Sequence, residues 1–272
     1  MILNISTKKK IQTAVTIALI ISGIIPAVKA EVANQNVDNP AGTTIDQGSG
    51  LMAVDLDNGS TFTITNAGTI SASGASDNME AINVDTANTT LSTLTNSGTI
   101  TAETTTSSDN YGKGISIDIN ASMGSLINSG TITGKGKQNN GYGIRMSSTN
   151  GTLTSITNTS TGIIEGISGE GINGGDTYGS NAYGSYINSS DSIAATLDND
   201  GIIRGLSDVN TGVGLHLRSK FSTIDNSGTI LGQTDGYMAY GMQTGILGRP
   251  ITTLNNSGTV SGVAGGNMAY GL

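Results

Sequence analysis

Hydrophobic residues recur along this chain at fixed distances from an asparagine, within short segments in which apolar and polar residues alternate. The residue two positions before the asparagine is Ile or Leu in every copy. A glycine stands two positions after it in six of the seven copies, and in the fourth copy the glycine is displaced to Gly162. Alternation with a period of two predicts β-strands. The seven asparagines are Asn66, Asn96, Asn128, Asn158, Asn199, Asn226 and Asn256.

The copies are spaced by 30, 32, 30, 41, 27 and 30 residues, and a second phrase falls between them. This phrase begins with a small residue and an aliphatic residue, as in "AINV" at 81 and "GISI" at 114. Each period therefore holds three short alternating segments separated by Gly, Asn, Ser and Asp, which is the pattern of a repeat architecture. We predict an all-β fold, a right-handed parallel β-helix of about seven coils of roughly 30 residues. With 40 Gly and 12% charged residues, disorder is the alternative, but disorder does not require aliphatic residues at fixed offsets.

One copy, "LINSGTI" at residues 126–132, predicts the geometry of a coil. Alternation points Leu126 and Ile132 into the core and leaves Thr131 and Thr133 facing water. We expect the asparagine to turn into the bend, where its amide can hydrogen-bond the copies above and below as a ladder. We expect the adjacent glycine to supply a backbone conformation that other residues resist.

The first 30 residues lie outside the repeats. Three consecutive lysines precede an apolar stretch over 11–25, and small residues follow at Val28-Lys29-Ala30. This order predicts a signal peptide over 1–30, with a retained membrane anchor as the alternative. Residues 31–47 are predicted to be a polar lead-in, and residues 48–272 to be the β-helix repeat domain.

The net charge limits the possible partners. Residues 1–30 contain four lysines and no acids, so removing them leaves eight basic and 20 acidic residues, a formal net charge of −12. Such a surface repels nucleic acid and anionic membranes. The chain also has no cysteine, which a stacked core does not need because it grows with every coil.

The "NSGTI" repeats at 30-residue spacing, after a signal sequence and without cysteine, resemble the passenger domains of Gram-negative autotransporters, the type V secreted surface proteins. The resemblance covers about residues 48–272. It implies export to the cell surface, outer membrane or medium, and an outer-membrane β-barrel translocator as a partner. The family includes adhesins, biofilm factors, toxins and proteases, so its motif specifies architecture better than activity.

No translocator sequence is present in this chain, and Gly271-Leu272 opens a further copy of the second phrase. We therefore expect the sequence to be a truncated part of a longer protein. The alternative is a soluble passenger exported by a separate partner, for which "NPAG" at 39–42 is a weak indication.

Candidate catalytic chemistry is sparse. His216 is the only histidine, and its position in "GLHL" is predicted to face solvent. Asp198 and Asp200 flank a ladder asparagine and are the best paired carboxylates, so a β-helix polysaccharide lyase or hydrolase is the alternative function. A solvated turn is the simpler explanation of the pair. We predict no catalytic residue, no cofactor and no metal site.

Binding has a better candidate. The 41-residue gap contains "GGDTYGSNAYGSYINSS", and Tyr, Ser, Gly and Asn are typical of adaptable binding loops. We predict that Tyr178, Tyr183 and Tyr186 form a binding loop for glycans or proteins, with a merely tolerated insertion as the alternative. Tyr142, Tyr240 and Tyr270 precede the glycine of the second phrase and are expected to stack as a column, either as corner packing or as a surface for sugar rings. The predicted function is adhesion, or another cell-surface interaction, without a chemical step.

Overall fold

The computed structural model describes residues 32–46, 52–75, 78–105, 111–118, 120–169, 180–189, 195–245 and 250–272. These residues form 25 β-strands and no helix. The strands lie in three parallel sheets, and each coil contributes one strand to each sheet. The predicted all-β solenoid of about seven turns is therefore confirmed, while its right-handedness stays a prediction. Among the described residues, no helix is long and apolar enough to span a bilayer.

The strands follow one another from sheet to sheet in chain order. The first sheet contains β1 (Val32–Ala33), β4 (Met52–Leu56), β7 (Met79–Val84), β10 (Gly112–Asp118), β13 (Gly141–Ser148), β16 (Ala182–Ser189), β19 (Thr211–Leu217), β22 (Met238–Thr244) and β25 (Met268–Tyr270). The second sheet contains β2 (Val37–Asn39), β5 (Thr61–Asn66), β8 (Thr90–Asn96), β11 (Ser122–Asn128), β14 (Leu153–Asn158), β17 (Ala195–Asn199), β20 (Phe221–Asn226) and β23 (Ile251–Asn256). The third sheet contains β3 (Thr44–Asp46), β6 (Thr69–Gly74), β9 (Thr99–Thr104), β12 (Thr131–Gly136), β15 (Ile163–Ser168), β18 (Ile202–Ser207), β21 (Thr229–Thr234) and β24 (Thr259–Ala264).

The core is a set of aliphatic columns that run along the solenoid axis. Leu126 pairs with Leu94 and Ile156, and Ile132 pairs with Ile100 and Ile164. All are buried, because the alternation of each strand directs them between the three sheets. Thr131 and Thr133 are partly exposed, so the predicted inward and outward positions are confirmed. Each coil thus buries its apolar residues against its two neighbours.

The predicted asparagines form a continuous ladder at the corner between the second and third sheets. The Nδ2 of each of the first six donates to the Oδ1 of the next at 2.6–2.9 Å, as in Asn96 to Asn128 at 2.8 Å. Each of these six Nδ2 atoms also approaches a backbone carbonyl oxygen at the start of the next coil's third strand, as Asn96 does at Thr131, 3.2 Å away. The ladder therefore satisfies polar groups that are buried in the corner.

The corner glycines are required for close approach rather than for an unusual backbone conformation. A Cβ on Gly98 would lie 2.0 Å from the carbonyl oxygen of Gly68, because the corners stack directly on each other. Positive φ occurs at Gly42, Gly59 and Gly169 among the described glycines, not at these corners. The expectation of a special backbone conformation is therefore wrong here, and the physical reason for glycine is the space between coils.

Residues 32–46, predicted to be a polar lead-in, form the three short strands β1, β2 and β3. Val37 pairs with Ile64, and Ile45 pairs with Ile70. Asn39 donates to the Oδ1 of Asn66 at 2.7 Å, so it is an eighth member of the ladder. The "NPAG" segment thus begins with a structural asparagine of a shortened first coil.

Candidate binding surface on the first sheet

Four rings meet on the outer face of the first sheet and form what we call the aromatic cluster: Tyr142, Tyr183, Tyr186 and His216. Tyr142 on β13 pairs with Tyr183 on β16. Three residues along β16, Tyr186 pairs with His216 on β19. Parallel pairing in register therefore places the rings of three consecutive coils in two adjacent columns.

The rings contact one another in the two arrangements that aromatic pairs favour. Tyr142 and Tyr183 are stacked, with centroids 5.0 Å apart and planes 5° apart. Tyr186 packs edge-on against Tyr183 at 5.5 Å and against His216 at 5.0 Å. Tyr142 is only 7% exposed, whereas the other three rings are partly exposed. Tyr142 thus supports a surface that Tyr183, Tyr186 and His216 present to solvent.

Two arginines border the aromatic cluster. Arg218 Nη1 donates to the hydroxyl oxygen of Tyr186 at 3.3 Å. The guanidinium carbon of Arg145 lies 6.0 Å from the centroid of Tyr142, within cation–π range, and Arg145 also donates to Asp118. The surface therefore combines flat rings with guanidinium donors, which suits a ligand that has both C–H faces and hydroxyl or carboxylate groups.

Burial controls the protonation of the aromatic cluster. It raises the pKa of Tyr142 well above its ordinary value, and that of Tyr183 is raised for the same main reason. Burial, reinforced by the positive charge of Arg218, lowers the pKa of His216 to about 4. The Nδ1 of His216 is buried and has no hydrogen-bond partner among the described residues. The imidazole is therefore uncharged at neutral pH and acts as an aromatic ring.

A charged network adjoins the aromatic cluster one coil below Tyr142. Lys113 Nζ lies 2.5 Å from Glu80 Oε1 and 3.8 Å from Asp118 Oδ2. The side chains of Lys113 and Glu80 are each 6% exposed. Desolvation raises the pKa of Glu80, and Lys113 opposes that shift. Because Asp118 also binds Arg145, the network is tied to the cation beside Tyr142.

The structure places two of the three predicted binding tyrosines differently from the sequence interpretation. Tyr178 lies outside the described residues. Tyr183 and Tyr186 lie in β16 rather than in a loop, and Tyr183 belongs to the column of Tyr142. The residues "AYG" at 182–184 indicate that this segment is a copy of the second phrase. The copy is hard to recognise because Ser185 replaces the aliphatic residue that follows the glycine elsewhere.

The predicted tyrosine column forms two separate stacks. Tyr240 and Tyr270 stack with centroids 5.1 Å apart, and Val213 separates them from Tyr183. His216 is partly exposed on the outer face, in agreement with its predicted orientation, but its ring also packs against Tyr183 and Tyr186, which the sequence did not indicate. A single-coil interpretation does not reveal neighbours that come from the preceding coil.

The carboxylates considered for catalysis lie on the second sheet and its corner. Asp198, Asp200 and Asp225 line an open depression of about 460 Å³. Desolvation, followed by the charges of Asp200 and Asp225, raises the pKa of Asp198. Within the described ranges, no group of three or more His, Cys, Asp or Glu side chains has a metal-binding arrangement.

Comparison of the chain with protein-family models, with curated protein sequences and with solved structures gave no match.

Proposed function

We propose that this chain is an exported, autotransporter-like passenger that works by binding glycans or proteins at the cell surface, without a chemical step. The observation that carries the proposal is the aromatic cluster, which three consecutive coils build on one exposed face. Rings held in place by their neighbours lose little conformational entropy on binding, so they suit the recognition of a weakly apolar ligand.

The chemistry of the aromatic cluster favours a carbohydrate. The C–H faces of a sugar pack on Tyr183, Tyr186 and His216, while the Tyr hydroxyls and Arg218 are donors for sugar hydroxyl or carboxylate groups. The net charge of −12 for residues 31–272 disfavours nucleic acid as the ligand. A stiff solenoid presents this surface at a fixed distance along its axis.

Glycan binding by the purified chain, measured on an array and then by calorimetry, tests the binding site. Tyr186→Ala is expected to weaken binding about tenfold or more, equivalent to about 1.4 kcal/mol. Tyr240→Ala is the matched control, because Tyr240 lies on the same sheet in the separate stack with Tyr270. Equal binding by Tyr186→Ala and the unmodified chain would contradict the assigned site.

Export is tested separately by fractionation of the native cells. We expect the protein in the outer membrane or the medium, cleaved after Ala30, as intact mass spectrometry would show. A species held in the outer membrane with additional mass favours the autotransporter arrangement and its translocator. A free species favours export by a separate partner, and an uncleaved cytoplasmic chain would contradict the proposal.

Polysaccharide cleavage is the second candidate function, and the depression lined by Asp198, Asp200 and Asp225 is the observation that favours it. Incubation with a panel of acidic and neutral polysaccharides distinguishes the two functions. Turnover that is lost in Asp198→Asn but kept in Tyr186→Ala would replace adhesion by hydrolysis or elimination.

A further inference from the structure

The outer face of the third sheet is mostly polar, except for an apolar patch in β15 and β18. In β6, β9 and β12 the outward residues are all polar: Thr69, Ser71, Ser73, Thr99, Thr101, Glu103, Thr131, Thr133 and Lys135. These outward residues form three columns along the solenoid. In β15 and β18 the first and third columns hold four partly exposed aliphatic residues, Ile163, Ile167, Ile202 and Leu206, which we call the apolar window. The fold tolerates polar residues in these columns, so the aliphatic residues of the apolar window are not needed for packing within the coil.

An ion pair lies in the middle of the apolar window. Arg204 Nη2 is 2.6 Å from Glu165 Oε2, and Arg204 Nε donates to the same oxygen at 2.8 Å. The Arg204 side chain is 34% exposed and that of Glu165 11%. Arginine is enriched at protein interfaces, and the fully buried centre of an interface is more apolar than the rest of the surface.

We propose that two copies of this chain associate side by side through the third sheet, with their solenoid axes antiparallel. The two-fold axis lies between β15 and β18 and runs parallel to the strands. This operation places each β15 against β18 of the second copy, so the interface is isologous. It is independent of the aromatic cluster, which lies on the first sheet.

The apolar window is self-complementary under this operation. Ile163 faces Ile202 of the second copy, and Ile167 faces Leu206 of the second copy. Glu165 faces Arg204 of the second copy, so two carboxylates and two guanidiniums alternate around the axis. Because each guanidinium has five N–H donors, Arg204 can bind both carboxylates.

Charge also selects the antiparallel orientation. A two-fold axis along the solenoid would place Glu165 against Glu165 and Arg204 against Arg204, which is repulsive. In the antiparallel arrangement the flanking strands create no like-charge contact, since Lys135 on β12 faces Gln233 on β21, and Glu103 on β9 faces Val263 on β24.

The size of the face indicates a weak dimer. Six strands from β9 to β24 cover about 29 Å along the axis by about 20 Å along the strands. Two copies would bury about 1,100 Å², close to the lower limit for a specific interface. We therefore expect a weak dimer whose population depends on protein concentration.

Sedimentation equilibrium of the full chain between about 1 and 200 µM tests the proposal. We expect a monomer–dimer equilibrium that weakens at least tenfold in the variant I163T/I202T, which uses the threonine that the same column holds elsewhere. Thr69→Ile is the matched control on the same face, outside the predicted contact, and should leave the equilibrium unchanged. A chain that is monomeric throughout, or a dimer that I163T/I202T does not weaken, would overturn the proposal.

A charge exchange and cross-linking test the pairing and the orientation. Glu165→Arg and Arg204→Glu should each abolish the dimer, and the double exchange should restore it, because both pairings are re-formed. Since the chain has no cysteine, a mixture of Thr99→Cys and Thr259→Cys chains should form a mixed disulfide, whereas neither chain alone should. Cross-linking within Thr99→Cys alone would contradict the antiparallel orientation, and capture of a different protein without self-association would contradict the dimer.

Discussion

The side-chain amide nitrogen of Asn158 lies 2.8 Å from the amide oxygen of Asn199, although 41 residues separate the two asparagines in the chain. Elsewhere in the ladder the corresponding separation is 27–32 residues and the distance is 2.6–2.9 Å. The spacing between coils is thus set by backbone pairing and by these amides, not by the length of chain between them.

Loss of an amide inside the ladder should be costly. Asn128→Ala removes the Oδ1 that accepts from Asn96 and the Nδ2 that donates to Asn158. We therefore expect the free energy of unfolding to fall by about 2–3 kcal/mol. Urea denaturation followed by circular dichroism measures this change. Asn256→Ala is the matched control, since Asn256 is exposed and should cost less than about 1 kcal/mol. Equal losses would show that the interior position has no special cost.

A methyl group at a stacked corner should be tolerated poorly. The Cβ of Gly98→Ala would lie 2.0 Å from the Gly68 oxygen, so the coils must separate locally. We expect a loss of about 3 kcal/mol or more in the free energy of unfolding, or failure to fold. Gly42→Ala has no atom within 4 Å of its Cβ and a φ of +80°, so it should cost only about 1 kcal/mol of backbone strain. Thermal unfolding of the two variants measures the difference. A loss of stability in Gly98→Ala no larger than that in Gly42→Ala would contradict the steric explanation.

Two buried serines should respond to alanine with opposite signs. Ser185 lies in the core column between Ile144 and Leu215, and its hydroxyl has no hydrogen-bond partner among the described residues. Ser185→Ala should therefore raise the free energy of unfolding by about 1 kcal/mol. Ser148 donates to the carbonyl oxygen of Ala121 at 3.0 Å, so Ser148→Ala should lower it by about 1 kcal/mol. Chemical denaturation of the pair measures both, and a shared sign would refute the explanation.

The stability should depend on pH through His216. Its pKa is about 4 in the folded chain and 6.5 for the free side chain, so between these values the unfolded chain binds a proton that the folded chain does not. Stability should therefore fall as the pH drops from 6.5 to 4, by on the order of 2 kcal/mol after allowance for partial exposure, and change no further below 4 through this group.

The variant His216→Gln isolates this contribution, because Gln243 already occupies the same column. The difference in unfolding free energy between the two chains should change between pH 6.5 and 4 and be constant above about pH 7. A constant difference across the whole range would mean that the imidazole titrates equally in both states.

The sequence was sufficient for features that repeat and insufficient for features that occur once. The ladder asparagines and the inward Leu126 and Ile132 were predictable, since each copy must pair with the same position of the next. Asn39 was missed because "NPAGTTI" has two residues more than "NAGTI" between the asparagine and the isoleucine. The surroundings of His216 depend on Tyr186 of the preceding coil, 30 residues away, and a single strand does not specify which side chains meet across coils.

The insertion before β16 shows that a connection between strands can lengthen without changing how the coils stack. Four residues connect β12 to β13, whereas 13 connect β15 to β16, yet both pairs of coils keep the same strand register and amide spacing. Additional residues at this corner leave the height of the stack unchanged. The surface of the solenoid can therefore diversify through evolution, one corner at a time, while every other site keeps its position along the rod.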